Sequence, residues 1–215
     1  TTTAASDEGE TAPDATDGGA AGDSDGTVTD NTGTVAPASP YLPVGPVIPI
    51  EELPLSVDGV GDILFGQPAD DAVGRLVASL GDPDSDTGPV LAVGEWGVCP
   101  GDTERVVIWG PFAAIVHVDP DGTETFAGYR LDFAYGGFSS PAADLATLSG
   151  LKAGASFRQL EQTYDGFDVR QVEDDELGSV WELYSTNTGA LLLWGPLTED
   201  DTVRGIYAVD ACGRF

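Results

Sequence analysis

Apolar residues in this chain fall into a few periodic runs separated by glycine, proline and acidic clusters. Ala72, Val73, Leu76, Val77 and Leu80 recur at helical spacing and predict an amphipathic helix. Pro68 suits its first turn, Asp70 and Asp71 favour its positive end, and Gly81 with Pro83 closes it. A second helical run joins Phe157, Leu160 and Tyr164 behind Ser156 and Gln159, which have the spacing of a capping box. Each helix precedes three β-rich runs: residues 105–109, 112–118 and 125–133, then 179–185, 190–194 and 203–209. In the third run Ala127, Tyr129, Leu131 and Phe133 alternate with Arg130 and Asp132, the pattern of a strand with one buried and one wet face. Gly66 and Gly154 mark equivalent helix openings 88 residues apart (154 − 66). The expected architecture is α+β: two αβββ repeats, at 63–135 and 136–215, forming antiparallel sheet with the helices packed on one face.

The flanking segments read differently. Residues 1–40 carry eight acidic side chains, no Lys or Arg, and no aromatic residue. Such a segment buries too little apolar surface to offset its ordering entropy, so a disordered acidic tether is expected. Residues 41–62 form a proline-rich lead-in that excludes a helix or a central strand and is expected to lie extended on the domain, with 53–57 adding an edge strand.

Composition narrows the functional classes. The formal charge is −29, from 37 acidic and 8 basic residues. Phosphate contacts depend on Lys and Arg, so nucleic acid and anionic membrane surfaces are disfavoured as partners. No apolar run approaches the roughly 20 residues that span a bilayer. The sequence has no methionine, so an upstream segment is expected to have been removed; that fits export, with a lipid anchor upstream of Thr1 as one means of attachment. In an exported protein the two cysteines, Cys99 and Cys212, read as one disulfide, the alternative being two buried thiols. Closing so long a loop would contribute about 4–5 kcal/mol in the chain-entropy description.

The repeated order, with Gly66-Gln67-Pro68 and Gly154-Ala155-Ser156 at the helix openings, resembles the tandem-repeat fold of the β-lactamase inhibitory proteins and related small bacterial envelope lipoproteins. The run from Leu80 to Gly88, followed by Cys99-Pro100-Gly101, is also similar to exported bacterial proteins of unknown function. The resemblance implies an exported fold that presents a sheet face to a partner, and it carries over no inhibitor contact residue.

Reactive chemistry is sparse. His117 is the sole histidine and lies within a strand run; Ser139 and Ser140 lack the elbow of a serine hydrolase. Asp82, Asp84 and Asp86 have the alternate spacing of a calcium loop, but Thr87 and Val93 occupy the positions that need glycine and a bidentate glutamate. Glu173 to Glu176 read as a solvated acidic loop. No cofactor motif is present. Exposed aromatic and arginine side chains on a sheet mark partner surfaces, which makes Trp109, Phe126, Arg130, Tyr184 and Trp194 the candidate contacts. The expected function is a non-enzymatic binding module, exported or surface-anchored, for a protein or cell-envelope ligand. An inhibitor of a secreted hydrolase such as a β-lactamase or protease, and an enzyme of unrecognised type, are the alternatives.

Overall fold

The computed structural model describes residues 40–208. All of the predicted tether except Pro40 lies outside them, as does Cys212. Three two-residue strands, β1 (Leu55–Ser56), β2 (Gly59–Val60) and β3 (Ile63–Leu64), form a small antiparallel sheet. Helix α1 (Ala69–Leu80) follows. A nine-stranded sheet then incorporates β4 (Ser85–Asp86), β5 (Val90–Leu91), β6 (Thr103–Trp109), β7 (Phe112–Val118) and β8 (Glu124–Asp132). After helix α2 (Phe157–Thr163) the same sheet takes β9 (Asp168–Asp174), β10 (Gly178–Tyr184), β11 (Leu191–Pro196) and β12 (Gly205–Ala208). The strand order is β4, β6, β7, β8, β12, β11, β10, β9, with β5 also on the outer edge of β6, and the pairings are antiparallel. The centre of the sheet is therefore the β8–β12 pair, from which the two halves of the chain run outward.

Both helices cover one face of this sheet. Ala72, Val73, Leu76, Val77 and Leu80 of α1 and Leu160 of α2 share a core with Val107, Trp109, Phe112, Tyr129, Leu131, Trp181, Leu183 and Ile206. Each fully buried aliphatic side chain of this set stabilises the fold by about 1.5–3 kcal/mol before entropy is counted. Polar tips within the layer find partners: Trp109 Nε1 donates to the carbonyl of Gly81 at the end of α1 (2.8 Å), and Tyr129 Oη donates to the carbonyl of Ser56 in β1 (3.0 Å). The lead-in runs along α1. Val44 N–H donates to the Gly74 carbonyl (2.9 Å), and Gly74 leaves room for it, since a Cβ there would sit 2.4 Å from Val44 Cγ2. At α2, Ser156 and Gln159 form the reciprocal capping box.

Three local expectations are corrected. Ile63 and Leu64, which open the first predicted αβββ repeat, form strand β3 of the small sheet, and the helix begins at Ala69. Neither helix is followed by three strands: five follow α1, because β4 and β5 pair along the outer edge of β6, and four follow α2, where β9 carries Arg170, Gln171, Glu173 and Asp174 and stands at the sheet edge, where exposed charge discourages further pairing. Only Val169 packs against the core from this strand, so its alternation is faint. The acidic run 173–176 closes β9 and turns the hairpin, where Asp174 Oδ1 accepts from the N–H groups of Glu176 (3.0 Å) and Leu177 (2.8 Å). Among the described residues, no helix is long and apolar enough to cross a membrane.

Candidate functional site

The face of the sheet turned away from the helices carries a row of side chains fixed by strand register. Arg170 pairs with Glu182, Glu182 with Trp194, Trp194 with Tyr207, Tyr207 with Arg130, and Arg130 with Ala113. Directly opposed residues on an antiparallel sheet lie on the same face, so these side chains stand side by side. Part of this face is roofed. The β5–β6 loop is pinned at its base by Ala92 N–H donating to the Asp102 carbonyl (2.9 Å), and it packs Ala92 and Val98 on Ile115 of β7. That packing brings Trp96 over the sheet.

Arg130 is the centre of the result. Its guanidinium carbon lies 4.7 Å from the ring centre of Tyr207, 5.5 Å from Trp194 and 5.9 Å from Trp96. Trp194 and Tyr207 meet edge to face at 4.7 Å, and Trp96 lies 5.2 Å from Tyr135. Each cation–π contact contributes about 0.5–2 kcal/mol according to its desolvation. Arg130 retains only 7% of its accessible surface, and its Nε–H has no acceptor. Among the described residues it makes no ion pair within 4.0 Å.

The neighbouring carboxylate is already committed. Asp132, 1% exposed, accepts from Arg204 Nε and Nη2 (3.1 Å each), from the Tyr207 hydroxyl, and from Ala134 N–H (2.7 Å). Burial alone would lower the pKa of Arg204, but the Asp132 carboxylate outweighs it and holds the guanidinium charged. Burial, followed by Tyr135 and Asp132, pushes the Tyr207 hydroxyl far above its usual value, so Tyr207 serves as a hydrogen-bond donor. Glu104, 2% exposed, lies on the same face with Oε2 unpartnered; burial raises its carboxyl, Glu95 adds to the rise and Arg130 opposes it.

These side chains line a cleft of about 460 Å³, with Arg130, Trp194, Tyr207, Tyr135, Asp132 and Arg204 in its walls and Glu95, Asp174 and Glu176 adding acidic groups. Its geometry offers recognition: a planar cation, aromatic walls and acidic neighbours.

Of the predicted contacts, the structure joins Arg130 and Trp194 in this cleft. Tyr184 lies on the same face further toward β9, its hydroxyl donating to Glu182 Oε2 (2.9 Å) and its ring 4.4 Å from the Arg170 guanidinium. Trp109 and Phe126 are corrections, since both are buried in the core on the helix side, 1% and 0% exposed. Phe126 is moved by a bulge. Ile115 pairs with Gly128 while Val116 pairs with Phe126, which leaves Ala127 unpaired and shifts the facing of the residues before it. Phe126 thereby joins Tyr129 and Leu131, three and five positions on, in one layer.

The remaining candidates fall elsewhere. Asp82, Asp84 and Asp86 do not converge: Asp84 Oδ2 accepts from Gly110 N–H (2.6 Å), and Asp86 is held by Arg105, by Gly88 N–H (2.8 Å) and by the Tyr41 hydroxyl (3.0 Å). Among the described residues no cluster of three or more metal-type ligands exists. His117 is partly exposed at the end of β7, 3.6 Å from Asp119 and 3.9 Å from Asp102, and does not line the cleft. Cys99 is half-buried and is not a free thiol, while Cys212 lies outside the described residues.

Sequence reasoning did not single out Tyr207, Tyr135 or the Asp132–Arg204 pair as site residues. The alternation of Ile206, Tyr207 and Ala208 signals that Tyr207 faces away from the core, but nothing local places it beside Arg130, 77 positions earlier (207 − 130). Comparison with protein-family models, curated proteins and solved structures finds no match to this chain.

Proposed function

We propose that this chain is a non-enzymatic binding module, exported or held at a cell surface, that takes a protein or cell-envelope ligand on the open face of its sheet. The observation that carries the reading is the Arg130 cleft: a desolvated cation boxed by aromatic rings on a sheet face that the helices leave uncovered. Deep arginine and aromatic side chains are the residue types that dominate the energy of recognition surfaces. We read the chain as two αβββ repeats, the first extended by β4 and β5 and the second by β9. The outward order of β8, β7, β6 on one side and β12, β11, β10 on the other supports that reading. The resemblance to tandem-repeat inhibitory and envelope proteins points the same way, and the charge of −29 suits a cationic or zwitterionic partner better than a polyanion. A Cys99–Cys212 disulfide belongs to this reading, tying the loop that carries Trp96 to the segment after β12.

The test is retention of soluble envelope and extracellular material on the immobilised full chain, with a panel of secreted β-lactamases and proteases assayed in parallel. Retained material lost in Arg130→Ala and kept in Arg158→Ala, an exposed substitution on α2, supports the reading. Equal retention by both variants refutes it. Inhibition of a panel enzyme that depends on Arg130 identifies the ligand as a hydrolase.

A further inference from the structure

We infer that the Arg130 cleft recognises a carboxylate monoanion that carries a cationic group nearby, the chemistry of a basic amino acid or of a peptide ending in a basic residue. This inference rests on the binding reading above and names the ligand class for the same site.

The argument begins with charge accounting inside the cleft. Asp132 and Arg204 neutralise one another through two 3.1 Å hydrogen bonds, and the remaining capacity of Asp132 is taken by Tyr207 and Ala134. Arg130 hydrogen-bonds the Tyr135 side chain but is left as a cation more than nine-tenths buried, with Nε–H unpartnered and no carboxylate within 4.0 Å among the described residues. Glu104 is near enough to sense its charge but does not close the pair. A buried guanidinium is normally satisfied by a carboxylate, because desolvation costs several kcal/mol and neither an aromatic face nor a neutral phenol hydroxyl supplies a counter-charge. The missing partner is an oxygen acid, and a carboxylate matches the guanidinium fork bidentately.

The walls then select among oxygen acids. Glu95 and Glu176 line the same cleft, on a chain of net charge −29. They oppose a dianion such as phosphate and attract a cation placed beside the carboxylate. Trp194, Tyr207 and Tyr135 give the aliphatic stem of a basic side chain a flat apolar bed. A volume of about 460 Å³ lies within the range of small-ligand sites. Arg130 is itself part of the cleft wall, so a ligand oxygen placed in the cleft meets its guanidinium directly.

The experiment titrates the full chain with defined probes, followed by tryptophan fluorescence and calorimetry. The probes are the tripeptide Gly-Gly-Lys with a free carboxylate, the same peptide amidated, Gly-Gly-Glu, free L-lysine and inorganic phosphate. The free-acid lysine peptide is expected to bind about tenfold or more tightly than its amide, as loss of a charge-assisted bidentate contact requires. It should also exceed Gly-Gly-Glu and phosphate. Comparison of the tripeptide with free L-lysine separates a peptide terminus from a free amino acid as the source. Arg130→Lys, which keeps the charge and loses the fork, should weaken the acid peptide and leave the amide unchanged; Arg158→Ala, exposed on α2 and outside the cleft, should alter neither. Equal binding of acid and amide, or no binding of any probe, overturns the inference. If Arg130-dependent retention of a macromolecular ligand persists in that case, the binding reading stands and only the ligand class fails.

Discussion

Gly195→Ala tests whether the middle of the sheet is as closely packed as its geometry requires. A Cβ built on Gly195 would lie 2.1 Å from the carbonyl oxygen of Gly205, 2.7 Å from its carbonyl carbon and 3.0 Å from Trp181 Nε1. Two of those atoms are backbone of β12, the strand that joins the two halves of the sheet, and the third is the indole nitrogen that donates to the same Gly205 oxygen (3.0 Å). The methyl group can fit only if β11 moves away from β12. Overpacking of this kind costs about 1–3 kcal/mol. The Trp181 hydrogen bond contributes about 0.5–1.5 kcal/mol net, and its loss strands a buried acceptor. The sum is about 1.5–4.5 kcal/mol, which at about 2–4 °C per kcal/mol lowers the melting temperature by about 3–18 °C for a domain of this size. Urea unfolding followed by tryptophan fluorescence gives the free energy, and calorimetry gives the melting temperature. Leu91→Ala, at a side chain 67% exposed, is the control and should stay within about 0.5 kcal/mol of the parent. A Gly195→Ala protein that melts within about 1 °C of the parent would refute the close approach, since a backbone clash cannot vanish without a shift.

Two further predictions concern pH. Burial, then Glu95, raises the Glu104 carboxyl above its ordinary 4.5, so the folded chain holds that proton more tightly than the unfolded chain; stability falls as pH climbs from 4.5 through the raised value, and Glu104→Gln should remove that decline. A pH-independent difference in melting temperature between variant and parent would contradict it. For Asp86, burial alone would raise the carboxyl, but Arg105, Gly88 N–H and Tyr41 together hold it below its ordinary 3.8. Its contribution is therefore complete above 3.8 and lost as pH falls through the lowered value. Asp86→Asn should cost about 1.5–3 kcal/mol at neutral pH, the range for hydrogen bonds to charged groups, with the gap closing in acid. A gap that persists unchanged in acid would show that the lost packing, and not the Arg105 pair, matters.

Elements that rest on local periodicity and capping are readable along the chain alone. α1 was legible because its apolar stripe repeats at the helical period, and β7 has the predicted bounds because a run of Phe112, Ile115, Val116 and Val118 between turn signals admits little else. The α2 capping box was legible because Ser156 and Gln159 interact within a single turn. Arg130 and Trp194 were recognisable as candidate contacts from the company they keep on their own strands. Where the faces meet depends instead on pairing between distant strands. The bulge at Ala127 depends on pairing with β7, which no feature of β8 encodes alone, and it sent Phe126 into the core. The edge strand β9 is hidden because its charge reflects its place at the sheet margin. The cleft itself joins β8, β11, β12 and the β5–β6 loop across more than a hundred positions, from Val93 to Tyr207 (207 − 93 = 114). Periodicity reports which side of a strand is wet; the register between distant strands decides which wet side chains become neighbours, because pairing energy resides in contacts that do not exist until the chain has folded.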